Sequence, residues 1–325
     1  MDRNSPGSPD PLSDIVAMLR PHDCVAAALD AGGDWAIRFE RHAGLKCNAV
    51  VKGDCRLSVE GMDGVLPLEA GDCFILPHGR PFLISAREAT LGEDATTIYA
   101  PVPHGGAALH GGGGTFFMTG ARFLLAGSAT DVLLQSLPPV IVVRGGARSE
   151  AIGWTLERIA EELRNPRPAG SLLIAHLSHA LLIEVLRQHL AAGRSEILEA
   201  PSEGLGWMAA LADPAIARAV CAMHGAPAHS WTVEELATRA AMSRTTFAVR
   251  FRRVVGQTPM AYLARWRMLR AAHRLQCTAD PLIRIEIEVG YASESAFAQA
   301  FKREIGCSPR RYARDRARTT DAPAT

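Results

Sequence analysis

Ser243-Arg-Thr-Thr-Phe247-Ala-Val-Arg-Phe251-Arg252, followed by Gly256-Gln-Thr-Pro259 and Tyr262, returns fifty residues later as Ser293-Glu-Ser-Ala-Phe297-Ala-Gln-Ala-Phe301-Lys302, Gly306-Cys-Ser-Pro309 and Tyr312. Ser, Phe, Phe, Gly, Pro and Tyr recur identically, and Thr258 matches Ser308 conservatively. One supersecondary unit is therefore used twice. Thr232 and Glu235 form a capping-box pattern that starts a helix, and Leu236, Ala237 and Ala240 give it a buried face. Ser243 then caps a second helix whose Phe247 and Phe251, at i and i+4, face the core. Two short helices joined by such a turn make a helix-turn-helix, whose second helix fits the major groove of DNA. The outward residues are Arg244, Thr245, Ala248, Val249 and Arg252 in the first copy, and Glu294, Ser295, Ala298, Gln299 and Lys302 in the second. The turn is one residue longer in the second copy. Between the copies, Pro259 to Leu275 reads as one helix with proline near its start, about 25 Å long.

Charge separates this region from the rest. Residues 229–318 hold 17 Lys+Arg against 8 Asp+Glu, a net of +9, whereas the whole chain of 325 residues carries +1. Only the C-terminal part is thus suited to meet a polyanion. The seven cysteines are an odd number without a CxxC pair, which fits reduced thiols rather than a disulfide framework. The N-terminus is polar and proline-rich, unlike a signal peptide. The apolar stretch 171–190 is interrupted by His176, His179 and Glu184 and is not expected to span a bilayer. A cytoplasmic location without membrane association is expected.

Upstream, short apolar runs alternate with Gly, Pro and Asp from about residue 24 to 143: Trp35–Phe39, Asn48–Val51, Cys55–Val59, Cys73–Leu76, Pro81–Ile84, Thr96–Tyr99 and Thr115–Met118. Such runs predict strands of a β-sandwich or barrel. The glycines at 105–106 and 111–114 predict a mobile loop, with no Lys-Ser/Thr after them to make a phosphate cradle. From about 150 to 192 the apolar period becomes helical, broken at Asn165-Pro-Arg-Pro-Ala-Gly170. These helices either pack on the barrel or form a dimer surface, and the pattern leaves both open. Another helix is expected at about 214–224.

The motifs Pro259-x-x-Tyr-Leu-x-x-Trp-Arg-Met268, Val289-Gly-Tyr-x-Ser-Glu-Ser-x-Phe297 and Ala300-Phe-Lys-Arg-x-x-Gly-x-Ser-Pro-x-x-Tyr312 resemble the AraC/XylS family of bacterial transcription regulators. The resemblance covers about residues 218–316 and implies a tandem helix-turn-helix domain contacting two successive major-groove segments. It places Arg244, Thr245, Ala248, Val249, Glu294, Ser295 and Gln299 at bases and Arg252, Lys302 and Arg303 at phosphates. Val249 and Gln299 stand where the family commonly has Arg. Glu286 replaces the usual small residue in the first helix of the second module, where it either splays that helix or points to solvent.

Gly71-Asp-Cys-Phe-Ile-Leu-Pro77-His-Gly79-Arg-Pro-Phe82 is similar to the second cupin motif, and Ala49-Val-Val-Lys-Gly53 resembles the end of the first. Together they resemble the cupin-type sensor of AraC-like regulators. Phe82 occupies the metal position after Gly79, and Cys47 and Asn48 stand in place of paired histidines. His78, His104 and His110 are left over, and no metal or cofactor is expected. Cys47, Cys55 and Cys73 read as buried thiols, with a thiol sensor as the alternative. Trp35, Asn48, Phe82 and Tyr99 are candidates to line an effector site.

The expected architecture is two-domain α+β. A cupin-like β-barrel with trailing helices spans residues 10–195 (barrel about 24–143, helices about 150–192), and a linker region spans 196–215. An all-α tandem helix-turn-helix domain, its modules joined by a linker helix, spans 216–318. The expected function is sequence-specific binding of double-stranded promoter DNA, controlled by a small effector, with RNA polymerase and a second copy of the chain as further partners. No catalytic set is visible, so an enzyme is not expected. The alternatives are a cupin metalloenzyme of oxygenase type with accessory DNA binding, and a DNA-binding dimer that senses nothing.

Overall fold

The structure is a computed structural model that describes residues 10–19, 21–87, 89, 91–102, 106–125, 134, 137–145, 150–192, 206–278 and 280–320. It divides into two compact units: residues 21–126 with 137–203, and residues 1–20 with 127–136 and 204–325. Helix α1 (Pro11–Leu19) thus groups with the C-terminal unit, although the sequence places residues 10–20 in the sensor domain. It packs on two helices of that unit and buries Ile15 and Met18.

The first unit contains eleven strands among the described residues: β1 (Pro21–Ala31), β2 (Ala36–Phe39), β3 (Leu45–Lys52), β4 (Asp54–Val59), β5 (Leu66–Glu69), β6 (Cys73–Leu76), β7 (Phe82–Ser85), β8 (Glu93–Asp94), β9 (Ala107–His110), β10 (Phe116–Leu125) and β11 (Ile141–Val143). They form a six-stranded sheet in the order β11-β6-β3-β10-β1-β9 and a five-stranded sheet in the order β5-β4-β7-β2-β8. Side chains alternate across each strand. Leu29, Val50, Phe74, Phe116 and Met118 from the larger sheet therefore meet Ile37, Leu57, Phe82 and Ile84 from the smaller one in one core.

The opposite face of the larger sheet is also covered. Helices α3 (Glu150–Arg164) and α4 (Gly170–Ala192) pack against it, with Phe123 edge-on to His179 at 5.0 Å and the Arg164 guanidinium 4.1 Å from the Phe117 ring. Burial on both faces explains why the middle of β3 is almost continuously buried. The apolar stretch 171–190 thus contributes a face to a packed layer, although α4 is long and apolar enough to cross a membrane by composition alone.

Some sequence expectations fail. Thr96–Tyr99 is not a strand but lies in helix α2 (Ala95–Tyr99), because the Asp94 carboxylate accepts the Thr96 N–H at 2.7 Å and caps it. The long strand β1 escapes the apolar-run reading because it is rich in alanine. Gly111 to Gly114 form a turn with positive φ throughout, and the Gly114 N–H donates to Asp30 at 2.6 Å. Gly105 and residues 193–205 lie outside the described residues. Gly79 holds φ +62°, and a β-carbon there would sit 2.0 Å from the His42 carbonyl oxygen. Only glycine fits this corner, whose carbonyl accepts the His42 N–H at 3.1 Å.

Candidate nucleic-acid interface

The C-terminal unit continues with α5 (Trp207–Ala212), α6 (Pro214–Gly225), α7 (Val233–Arg239), α8 (Arg244–Val255), α9 (Pro259–Cys277), α10 (Leu282–Glu288), α11 (Glu294–Ile305) and α12 (Pro309–Thr320). Helix α5 was missed in the expected linker region, where it buries Trp207 and Met208. Local chemistry sets each boundary of the repeat. Thr232 and Glu235 form a reciprocal capping box at α7. The Ser243 and Ser293 hydroxyls accept the N–H groups of Thr246 and Ala296, and left-handed Gly256 and Gly306 end α8 and α11. Thr258 caps α9, with Pro259 at its first position.

Each module has the same aromatic core. Phe247 and Phe251 meet edge-on at 5.5 Å, and Phe251 meets Tyr262 at 5.7 Å. In the second copy Phe297–Phe301 and Phe301–Tyr312 lie at 5.7 and 5.5 Å. The Tyr262 hydroxyl is hydrogen-bonded to His224 at 2.9 Å, and the Tyr312 hydroxyl accepts from Gln276 at 2.8 Å. Arg270 and Arg274 of α9 pair with Glu288 at 3.5 and 3.3 Å, and Arg274 also pairs with Asp280 at 2.6 Å. These contacts hold α10 on α9, a spacer of 19 residues or about 28 Å.

With both phenylalanine pairs buried, Arg244, Thr245, Val249, Glu294, Ser295 and Gln299 are exposed and Ala248 is half-buried. Arg252, Lys302 and Arg303 are exposed as well. Three of these charges already have partners: Arg244 with Glu234, Glu294 with Arg310 and Arg303 with Glu304, each at 2.9 Å. Such exposed pairs are worth at most about 1 kcal/mol, so a phosphate can displace them. The sequence reading missed Arg250. Its guanidinium donates to Asp213 at 2.8 Å, and Asp213 also caps α6 by accepting the Ala215 and Ile216 N–H groups. Burial raises the Asp213 carboxyl, but the hydrogen bonds from Arg250 and those N–H groups outweigh it and hold it below the ordinary value. Arg250 thus ties α8 to the start of α6.

In the barrel, Trp35, Asn48 and Phe82 are buried and Tyr99 packs half-buried against the same core. Cys47 and Asn48 are consecutive on β3 and so point to opposite faces. They cannot converge on one ion with Phe82, and no group of three His, Cys, Asp or Glu suited to a metal occurs among the described residues. His78 is hydrogen-bonded to the Leu137 carbonyl at 2.9 Å, His110 lies 3.9 Å from Glu93, and His104 is outside the described residues. Cys47, Cys55 and Cys73 are buried; burial pushes the first two thiols up to about 12 and the third well above its ordinary value. That suppresses the thiolate a redox sensor needs.

Residues 10–191 match a family described as Cupin, and residues 236–315 match the helix-turn-helix domain family. The chain is 41% identical over 304 residues to a putative AraC-like transcription regulator of Streptomyces antibioticus, covering 93% of this chain and 98% of that one. The chain belongs to the AraC-like family of transcription regulators. It is also 30% identical to the regulator AlkR of Acinetobacter baylyi, covering 93% and 98% of the two chains. The DNA-binding domain of AdpA in complex with a target DNA matches 34% of this chain and 99% of its own, at 32% identity and a TM-score of 0.32. Like its relatives, this AraC-like chain is a DNA-binding transcription regulator.

Within this AraC-like frame two local departures are resolved. Val249 is 66% exposed on the outward face of α8. Glu286 neither splays α10 nor points to solvent: the helix is regular and the residue is buried. Burial and the nearby Glu294 raise its carboxyl, while Arg310 pulls it down.

His224 provides a pH test. Its ring stacks on Trp266 at 3.5 Å between centroids, and burial, with Arg270 as a lesser cause, lowers its pKa from 6.5 to about 3. The unfolded chain takes up a proton below about pH 6.5; the folded chain does not until about pH 3. Stability contributed by neutral His224 is therefore full above pH 6.5 and lost as pH falls towards the folded value. The urea midpoint is expected to drop between pH 7 and 5, with a shallower slope in His224→Phe. That variant also starts lower, because the Tyr262 hydroxyl loses its partner, at a cost of about 1–3 kcal/mol. Equal slopes in variant and parent would remove His224 from the acid response.

Proposed function

We propose that this regulator reads a promoter with α8 and α11 in two successive major-groove segments, under the control of a small effector at the barrel. The observation that carries the reading is the pair of capped, aromatically anchored helices. Their outward faces hold Thr245, Val249, Ser295 and Gln299 beside exposed Arg252, Lys302 and Arg303. Gln299 is suited to bidentate pairing with adenine and Val249 to a thymine methyl, while Arg244, Ala248 and Glu294 flank them. The cations supply position rather than sequence information. An effector that favours one conformation or dimer geometry shifts the population towards it and so changes DNA engagement. The proposed domain limits are 10–195 for the sensor, 196–215 for the linker region and 216–318 for DNA binding. The regulator is proposed to work in the bacterial cytoplasm, without enzymatic activity, as a homodimer that acts on RNA polymerase.

The experiment is genome-wide mapping of binding sites, followed by affinity against salt for one recovered site. Arg252→Ala and Lys302→Ala are expected to weaken binding to all sequences and to flatten the salt dependence by about one unit per lost phosphate contact. Gln299→Ala instead relaxes preference at one base pair, by about 1–3 kcal/mol. An unchanged salt slope in the first two, or unchanged discrimination in the third, would remove those residues from the interface. Failure to recover any discrete site would overturn the reading itself.

A further inference from the structure

Along the inner face of β3 and β10 the register pairs Lys46 with Arg122, Asn48 with Gly120 and Val50 with Met118. Depth increases along this series. Lys46 and Arg122 are half-buried, Asn48 is 5% exposed, and Val50 and Met118 lie in the core. Two cations directly opposite one another on adjacent strands destabilise a sheet. The remaining neighbours in register do nothing to offset this: Leu76 lies beside Lys46 and Val25 beside Arg122. Among the described residues no carboxylate pairs with either cation. The Lys46 ammonium instead lies 4.6 Å from the centroid of the Phe39 ring and 5.0 Å from that of Phe82, two rings stacked at 4.5 Å.

The polar groups around this pair include a buried donor without a partner. The buried Asn48 amide nitrogen has no hydrogen-bond partner. Lys46 and Arg122 offer only N–H groups. Gly120 makes room for the Asn48 side chain, since a β-carbon there would come within 2.6 Å of the Asn48 Oδ1. His42 faces the same end, with its ring 6.1 Å from Phe82. Burial, then Lys46 and to a lesser degree Arg122, lower its pKa to about 4 against the opposing hydrogen bond to the Glu40 backbone, so it is neutral and brings no further charge near pH 7. Unpaired donors at the rim, a buried unpartnered amide and an aromatic wall form a site for an acceptor-only head on an apolar body.

We propose that this end of the barrel binds a small monocarboxylate with an apolar body, its carboxylate held by Lys46, Arg122 and Asn48 and its body against Phe39 and Phe82. This rests on the reading that the barrel takes an effector, and adds the ligand's chemical class and its anchoring residues. A carboxylate accepts through both oxygens and suits an arginine fork beside an ammonium. It also relieves the repulsion between the two cations.

The test is thermal unfolding and calorimetric titration of the full chain with straight-chain acids from acetate to decanoate, with benzoate, with the matching amides, and with inorganic phosphate. Acids with an apolar body are expected to raise the unfolding temperature by mass action, whereas the amides and phosphate do not. Lys46→Met and Arg122→Met each weaken acid binding by about tenfold or more. Both variants remove one of two repelling charges, so they should fold at least as well as the parent. Amides that bind as well as acids, or acids unaffected by both substitutions, would overturn the anion site while leaving an effector-binding barrel. Stabilisation by phosphate but not by acids would overturn the apolar body. No response to any compound would overturn both the proposal and the effector reading on which it rests.

Discussion

Phe251→Ala is expected to destabilise the first helix-turn-helix by about 3–5 kcal/mol, the usual range for emptying a buried aromatic site. The ring is fully buried and joins Phe247 on its own helix to Tyr262 on the spacer, so its loss uncouples α8 from α9. The cavity lies behind the outward face proposed to meet DNA, and the positions of Thr245 and Val249 depend on it. Promoter affinity should therefore fall with stability, and the deficit should be largest near the unfolding temperature. Phe301→Ala probes the equivalent place in the second module, between Phe297 and Tyr312. Denaturant unfolding alongside DNA titration checks both variants. A change below about 1 kcal/mol for Phe251→Ala would show that the ring carries little of the module's packing.

The second large effect is expected at Gly79→Ala. The left-handed φ of +62° strains any residue with a β-carbon, and here that carbon meets the His42 carbonyl at 2.0 Å. The obstacle is backbone, so it cannot be cleared by rotating a side chain. Strain and overpacking together amount to roughly 2–5 kcal/mol. The His42 segment must move, which displaces the adjoining end of β3 with Lys46 and weakens carboxylate binding beyond the loss of stability. Gly112→Ala is the control: its φ is +82° but nothing lies within 4 Å, leaving only the left-handed strain of about 1–2 kcal/mol. Equal unfolding temperatures for the two variants would contradict the close approach at Gly79.

The repeat made the C-terminal unit legible because its signals are local. Thr232 with Glu235, Ser243, Ser293, Gly256, Gly306 and the paired phenylalanines act within a few residues, and each occupies the role its chemistry implies. The barrel was legible as a class but less so in detail. A β-branched run at Thr96–Tyr99 imitates a strand until the Asp94 cap is seen, and an alanine-rich β1 has little apolar contrast to reveal it. Trp35, Asn48, Phe82 and Tyr99 were accessible as candidates from their residue types. Lys46 and Arg122 were not, because only strand register sets residues 76 positions apart side by side. Arg250 was missed for a similar reason: its partner Asp213 lies 37 residues away.

The anchoring of Arg250 to Asp213 separates two jobs along a single helix. What holds α8 in place lies on its inner side, whereas Thr245 and Val249 hold nothing else among the described residues, and neither does Gln299 on α11. Their exchange leaves the scaffold's own contacts intact. On the proposed assignment of bases to these residues, operator preference is a replaceable surface on a fixed frame, open to retargeting by point substitution without refounding the fold.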